Sequence, residues 1–211
     1  MKEQIKNKYK ELIKYIRREI LLKNKDFTII SNNCFGGAVY EYFNLPKNSP
    51  TVGAYFFAKD YLKFIKNLKY YFSLELTFIP TNKSKHFEYL TGASKECPIG
   101  VLGDIEIIFL HYKNEKEALD KWNRRIKRVN WNNLIVKFND QNNATEEDII
   151  EFDSLSFKNK LCFVANPIKE PKLKSVIVFK EYIGEKYIKD DAKKWKNYLN
   201  IIKYLNNIKK N

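Results

Sequence analysis

The sequence lacks long apolar runs and any regular arrangement of cysteines. No stretch reaches the ~18 uninterrupted apolar residues that a membrane span requires. The N-terminus, Met1-Lys2-Glu3-Gln4, leads into a charged helical pattern, so we expect no signal peptide. Cys34, Cys97 and Cys162 are odd in number and far apart, which argues against a disulfide framework or a zinc site. These absences predict a cytoplasmic protein.

Motifs for nucleic-acid binding are also missing, although the formal net charge is +14. The sequence has neither zinc-finger spacing nor an RNP-type aromatic motif. Lysine is spread along the chain among isoleucine, asparagine and tyrosine, as a compositional bias of the coding sequence would produce. Charge of this kind gives non-specific attraction to anions, so we expect no specific nucleic-acid partner.

The order of predicted elements indicates the fold class. The chain of 211 residues contains no low-complexity linker and no internal repeat. Apolar residues from Ile5 to Ile20 recur at helical spacing, which predicts an amphipathic N-terminal helix over residues 1–24. Short apolar strands then alternate with helices, which is typical of crossover connections. Residues 25–211 are therefore predicted to form one three-layer α/β/α domain with a mainly parallel or mixed sheet.

Capping signals and apolar runs predict the positions of individual helices and strands. Thr145 to Asp148 has the form of a capping box, which predicts a helix start. The unbroken apolar runs 27–31, 104–110 and 133–138 predict neighbouring strands of one sheet with both faces covered. Further strands are expected at 74–79, 161–165 and 175–179, helices at 38–43, 59–71, 115–128 and 190–208, and a polar surface excursion at 81–95.

The segment after the first predicted strand is a candidate binding site, because open α/β sheets bind ligands at the carboxyl ends of their strands. We expect Asn32, Asn33, Gly36 and Gly37 to hold a phosphate-bearing or hydroxyl-bearing donor. The alternative is a tight turn that needs glycine at positive φ. Cys34 could be a nucleophile or a packing residue, and no histidine is obviously placed to activate it.

Two residues are candidate catalytic bases. His111 follows a predicted strand, where it could act as a general base or have a structural role. Asp104 and Glu106 are two apart in one predicted strand and should point to the same face. Buried carboxylates need partners, and the arginines near residue 125 are candidates.

Asp140 also follows a predicted strand and is a candidate ligand-binding residue. It could bind a metal through Asn139 or Asn142, but the sequence has no Asp-x-Asp pair. We therefore predict no metal site and name no certain cofactor.

Three of the five arginines fall within residues 124–128. Trp122, Arg125 and Arg128 are three apart and so share one helical face. A guanidinium can contact phosphate with two parallel hydrogen bonds, which favours a phosphate site built from Arg125, Arg128 and Asn130. We predict that these arginines and the turn from Asn32 share one pocket. The alternative is a solvated face paired with nearby acids.

These segments together resemble a bacterial family of unknown function whose members are commonly labelled exopolysaccharide or capsule biosynthesis proteins. The resemblance begins near Phe27, and at Phe35 the family pattern leads us to expect tryptophan. It implies a three-layer α/β/α fold and a setting in surface-polysaccharide synthesis. The matching segments are 27–37, 49–53, 97–105, 111–112, the Trp-x-x-Arg-x-x-Arg-x-Asn pattern at 122–130, and 194–195.

Three functional hypotheses remain open at this point. The first is a transferase that moves a glycosyl, acyl or phosphoryl group from a nucleotide-sugar or other phosphate-bearing donor to a polysaccharide precursor, with His111 or Asp104 as base. The second is a non-catalytic glycan- or nucleotide-binding accessory protein. The third is weak peripheral attachment of the basic first helix to anionic lipid on the inner face of the membrane. The oligomeric state is left open.

Overall fold

A parallel sheet lies at the centre of the computed structural model, which describes residues 2–169 and 171–210. Its strand order is β1-β5-β6-β7, and every neighbouring pair is parallel. The predicted α/β class is confirmed. The strands of this sheet are β1 (Thr28–Ser31), β5 (Leu134–Asn139), β6 (Lys160–Val164) and β7 (Val176–Val178).

A second, antiparallel sheet has the order β2-β3-β4, with β2 at Thr77–Ile79, β3 at Ile99–Leu102 and β4 at Ile105–Ile108. The expectation that 104–110 joins the central sheet was therefore wrong. Asp104 and the preceding glycine instead form the tight turn between β3 and β4. An unbroken apolar run predicts burial on both faces but does not specify the partner strand.

Helices cover both faces of the central sheet. Alternate residues of each strand point to opposite sides, so each face presents its own apolar side chains for the helices to bury. On one face, Ile30 and Val136 pack in a core with α3, α5 and the antiparallel sheet. On the other, Ile29 and Ile135 pack against α2 and the C-terminal helices. The helices are α1 (Lys2–Tyr15, continued by a π-helical turn at Ile16–Leu21), α2 (Phe35–Phe43), α3 (Ala58–Lys66), α4 (Leu68–Ser73), α5 (Glu115–Ile126), α6 (Glu146–Ser154), α7 (Asp191–Lys194) and α8 (Ile201–Asn206).

Local capping signals decide where several helices begin and end. The capping box at Thr145 is present, as predicted. The single closing helix expected at 190–208 is wrong, because the segment breaks into α7, a 3₁₀ turn at Trp195–Asn197 and α8. Asn200 restarts the helix by accepting a hydrogen bond from the backbone N–H of Lys203.

Helix α1 is anchored to the domain near its C-terminal end. The residues from Glu3 to Leu12 are all exposed. The Arg17 guanidinium lies 3.8 Å from the centre of the Tyr42 ring, and Arg18 Nη1 donates to the Asn44 carbonyl oxygen at 3.1 Å. Within the described part of the chain, no helix has both the length and the apolar character needed to cross a bilayer.

Candidate functional site

A cavity of about 400 Å³ opens at the carboxyl edge of the central sheet. Its walls include Asn33 and Cys34 from the β1–α2 junction and Gln141 and Asn142 from the loop after β5. Asp191, at the start of α7, closes another side. Loops after neighbouring parallel strands meet at this edge, so the location agrees with the general rule for ligand sites in α/β sheets.

Cys34, which lines the cavity, is in contact with a histidine that is not itself one of the lining residues. The Cys34 sulfur lies 3.3 Å from Nε2 of His111, although the two residues are 77 positions apart in the chain. Cys34 is half-buried at the N-cap position of α2, and His111 is exposed. Burial raises the pKa of the Cys34 thiol to about 11, and the negative charge of Asp191 contributes in the same direction. At neutral pH the thiol is therefore protonated and needs a base to react.

A buried arginine holds the His111 loop in place. The backbone N–H of His111 donates to the Gly53 carbonyl at 3.0 Å. Arg125 Nη1 donates to the Tyr112 hydroxyl at 2.6 Å and to the Val52 carbonyl at 3.0 Å. Gly53 has φ +83°, and a Cβ there would lie 3.0 Å from the Tyr112 ring. These contacts make the 49–53 loop, the histidine loop and α5 one connected unit.

A buried ion pair lies beneath the cavity wall that Asp191 forms. Lys137 and Asp191 are in direct contact, and their side chains are 0% and 2% exposed. Asn33 donates to Asp191 Oδ1 at 2.8 Å and accepts from Lys137 Nζ at 2.9 Å, while Asn139 donates to Asp191 Oδ2 at 3.0 Å. Burial lowers the pKa of Lys137 from its usual value, and the Asp191 carboxylate opposes that shift.

Comparison with known proteins gives a match over nearly the whole chain. Residues 5–209 match the model of a domain of unknown function, DUF1919. The chain belongs to this family. An uncharacterized protein of Haemophilus influenzae is 34% identical over 192 residues, which cover 88% of this chain and 86% of the relative. The predicted membership of a family of unknown function is confirmed, whereas the link to polysaccharide remains a prediction. The match includes most of α1, so the family extends further toward the N-terminus than the resemblance indicated.

The glycines predicted to bind a ligand in this DUF1919 domain instead lie in α2 against the core, and only at Gly37 would an added Cβ be tightly packed. A Cβ at Gly36 would lie 3.4 Å from Ile29 Cγ2, and one at Gly37 would lie 3.2 Å from Val52 Cγ1. Both glycines are buried within the first turn of α2 and are not at positive φ, so the tight-turn alternative is wrong as well. Asn32 is 0% exposed, and its amide donates to Asn139 Oδ1 at 2.7 Å. Of the predicted segment, Asn33 and Cys34 line the cavity.

The predicted pocket shared by the turn and the arginines is wrong. Arg125 is buried behind the histidine loop, and Arg128 is exposed without lining the cavity. Asn130 donates to the Asp26 carboxylate at 2.7 Å, and its backbone N–H donates to the Thr28 hydroxyl at 2.8 Å. These contacts lie at the start of β1, at the opposite edge of the sheet from the cavity.

Asp104 and Asp140 hold loops in this structure. Asp104 accepts from Lys63 at 2.8 Å and from the Tyr71 hydroxyl at 2.7 Å, and these bonds lower its pKa to about 2. It does not line the cavity or contact an arginine, contrary to expectation. Asp140 accepts from the backbone N–H of Ala165 at 2.6 Å and of Ile188 at 2.9 Å. It also lines an adjoining cavity of about 390 Å³.

Two lining residues were not identified from the sequence: Asp191, and Tyr55, which lines both cavities. One signal was available for Asp191. Lys137 interrupts the apolar run Leu134-Ile135-Val136-Lys137-Phe138, and a lysine in a buried strand requires a counter-ion. Nothing in the sequence identified which of its acidic residues supplies that charge.

The described residues offer no metal site and one larger cavity. They contain no group of three or more His, Cys, Asp or Glu side chains placed to hold a metal ion. A larger cavity of about 740 Å³ is lined by Tyr70, Trp131, Ser156 and several lysines. Its lining includes no cysteine, histidine or carboxylate, so the smaller cavity at Cys34 is the better candidate for covalent chemistry.

Proposed function

We propose that this protein is a cysteine-dependent acyltransferase of surface-polysaccharide assembly, with Cys34 as nucleophile and His111 as general base. The observation that carries the proposal is the 3.3 Å contact between the Cys34 sulfur and His111 Nε2 beside a cavity. A nucleophile within hydrogen-bonding reach of a base is the arrangement that covalent group transfer requires. The polysaccharide setting is supported by the family resemblance of the sequence.

The reaction would proceed in two steps, acylation of Cys34 and transfer of the acyl group to the acceptor. His111 Nε2 takes the thiol proton as the Cys34 sulfur attacks the acyl carbonyl carbon, and the leaving group departs with that proton. The product is a thioester on Cys34. A hydroxyl of the saccharide acceptor then attacks the thioester, His111 takes its proton, and the sulfur is released and reprotonated.

Acyl transfer is favoured over the other transfers by the composition of the cavity wall. Arg125 and Arg128, which were expected to neutralise donor phosphates, do not line it. The cavity is instead lined by amides such as Gln141 and by Tyr55, groups that can bind hydroxyls of a neutral acceptor. A thiolate formed from a thiol of high pKa is also intrinsically a strong nucleophile.

We infer a cytoplasmic setting, because the reaction needs Cys34 as a free thiol and a reducing compartment maintains thiols in that state. All three cysteines are free in the structure, which supports this inference.

The test is transfer from a simple activated ester. The protein is incubated with p-nitrophenyl acetate or acetyl-CoA, and its intact mass is measured with time. We expect one acetyl group on Cys34, no such adduct in Cys34→Ala, and a rate ~10²–10⁴-fold lower in His111→Gln. Cys97→Ala is the matched control, because Cys97 is also half-buried but contacts backbone oxygens rather than a histidine.

Labelling of Cys97 at the same rate as Cys34, or an unchanged rate in His111→Gln, would contradict the proposal. If the wild-type protein forms no adduct but binds oligosaccharides in calorimetry, the non-catalytic accessory function is the correct one.

A further inference from the structure

Helix α1 carries an apolar stripe that the rest of the domain does not cover. Ile5, Tyr9, Leu12 and Ile20 are 62%, 64%, 53% and 66% exposed, at spacings that place them on one side of a helix. Twelve large hydrophobic side chains are exposed among the described residues, and six of them lie within residues 5–21. Such a concentration on one short segment indicates a contact surface.

The N-terminal segment that contains this stripe is strongly basic. Residues 2–25 contain nine lysines and arginines against three glutamates, a net charge of +6. Of the glutamates, Glu11 pairs with Lys14, and Glu19 pairs with Arg18 and Lys25. The charge therefore remains positive along the exposed part of the helix.

Lysines flank the stripe on both sides. At about 100° per residue, Lys6 lies about 100° from Ile5 in one direction, and Lys8 lies about 60° from it in the other. An exposed apolar stripe bordered by lysines is the pattern of helices that lie in the headgroup region of a membrane. There the apolar side chains enter the acyl boundary, and the lysines extend toward lipid phosphates.

We propose that α1 docks this protein on an anionic lipid surface. A second copy of the chain is the less favourable occupant, because two N-terminal segments, each with a net charge of +6 over residues 2–25, would face each other. Anionic headgroups match the charge, and the bilayer matches the apolar stripe. The anchor points Arg17 on Tyr42 and Arg18 on the Asn44 carbonyl would then hold the domain to the docked helix. This inference does not depend on the chemistry of Cys34.

The experiment is co-sedimentation of the full chain with vesicles of phosphatidylcholine alone or mixed with phosphatidylglycerol. We expect binding to the anionic vesicles that weakens, but persists, at high salt, and much weaker binding to phosphatidylcholine alone. Ile5→Asp should reduce partitioning roughly tenfold or more, since it removes one buried apolar side chain from the interface. Ile183→Asp is the matched control: Ile183 is 59% exposed elsewhere on the domain, and the change in charge is identical.

Three results would overturn the proposal. They are no sedimentation of the wild-type protein with anionic vesicles, equal losses in Ile5→Asp and Ile183→Asp, and a dimer in lipid-free solution that Ile5→Asp dissociates. The last result would mean that a second copy of the chain, and not a lipid surface, covers the apolar stripe. Circular dichroism of both variants checks that the fold is retained, which is expected because both side chains are exposed.

Discussion

At the scale of single residues, the candidate site depends on the contact between Cys34 and His111 and on the hydrogen bonds of Arg125 behind the histidine loop. His111 was a candidate base and Cys34 a candidate nucleophile, yet their contact joins positions 77 apart and leaves no local pattern. Arg125 was singled out because arginine is rare in this chain. One terminal nitrogen of its guanidinium donates to both the Val52 carbonyl and the Tyr112 hydroxyl, rather than to a phosphate.

Replacement of Arg125 by lysine should therefore destabilise the fold while keeping the charge. The lysine side chain is one atom shorter, so its ammonium falls short of the position from which Arg125 Nη1 reaches the Val52 and Tyr112 acceptors. We therefore expect a loss of about 1.5–3 kcal/mol in unfolding free energy. Lys127→Arg, at an exposed position of the same segment, should change it by less than about 0.5 kcal/mol. Urea unfolding of both variants provides the measurement, and equal effects would show that the bonds of Arg125 contribute nothing.

The reactivity of Cys34 should depend steeply on pH. Because its pKa is raised to about 11, the thiolate fraction, and with it the rate of alkylation by iodoacetamide, should rise about tenfold per pH unit from pH 7 to 10. Modification is followed by peptide mass mapping in the Cys97→Ala background. A rate that already levels off near pH 7 would mean that the thiolate is stabilised and that the pKa is depressed instead.

At the scale of elements, helix and strand positions followed from the sequence where periodicity and capping were strong. β1 and β5 lie within a residue of their predicted bounds, and α6 begins at its predicted capping box. β3 was missed, because Ile99-Gly100-Val101-Leu102 is short and contains a glycine that lowers strand propensity. The predicted helix 59–71 breaks into α3 and α4 at Asn67.

Gly100 is the glycine on which the antiparallel sheet depends. A Cβ there would lie 2.6 Å from Phe109 Cε2 and 2.7 Å from Leu76 Cδ1, so Gly100→Ala should cost about 1–3 kcal/mol. Gly36→Ala meets ordinary contacts at 3.4 Å within a helix and should be neutral or stabilise by up to about 1 kcal/mol. Thermal unfolding distinguishes the two, and a tolerated Gly100→Ala would show that the sheet can readjust.

At the scale of the whole molecule, the α/β class could be predicted from the alternation of elements, but the division into two sheets could not. Strand pairing is set by which surfaces meet, and the apolar run at 105–108 is equally compatible with either sheet. The site was only partly predictable for the same reason. Its parts come from loops distant in sequence that the sheet brings to one edge.

The many buried acidic hydroxyl and thiol groups should make the fold sensitive to alkali. Burial raises the pKa of Cys34, Cys162 and Tyr61, so the folded protein retains protons that the unfolded chain releases. Their contribution is fully present below the ordinary thiol pKa of 9.0 and is lost as pH rises above it. Unfolding free energies in urea should therefore decrease between pH 9 and 11.

The variant Cys162→Val keeps a buried apolar side chain of similar volume but removes one of these groups. Its unfolding free energy should decrease less steeply over the same pH range than that of the wild-type protein. If unfolding free energy falls equally with pH in both proteins, or does not fall in the wild-type protein, the buried thiol of Cys162 does not contribute to alkaline sensitivity.

The ion pair beneath the cavity also constrains when the protein can fold during its synthesis. Lys137 becomes buried when β5 joins β1, but Asp191 emerges from the ribosome 54 residues later. Until then the central sheet would enclose an uncompensated charge, so a nascent chain that ends before residue 191 should remain open. The proposed catalytic cavity is thus completed only when almost the whole polypeptide has been made, and chains truncated in that last segment should be poor at folding and readily degraded.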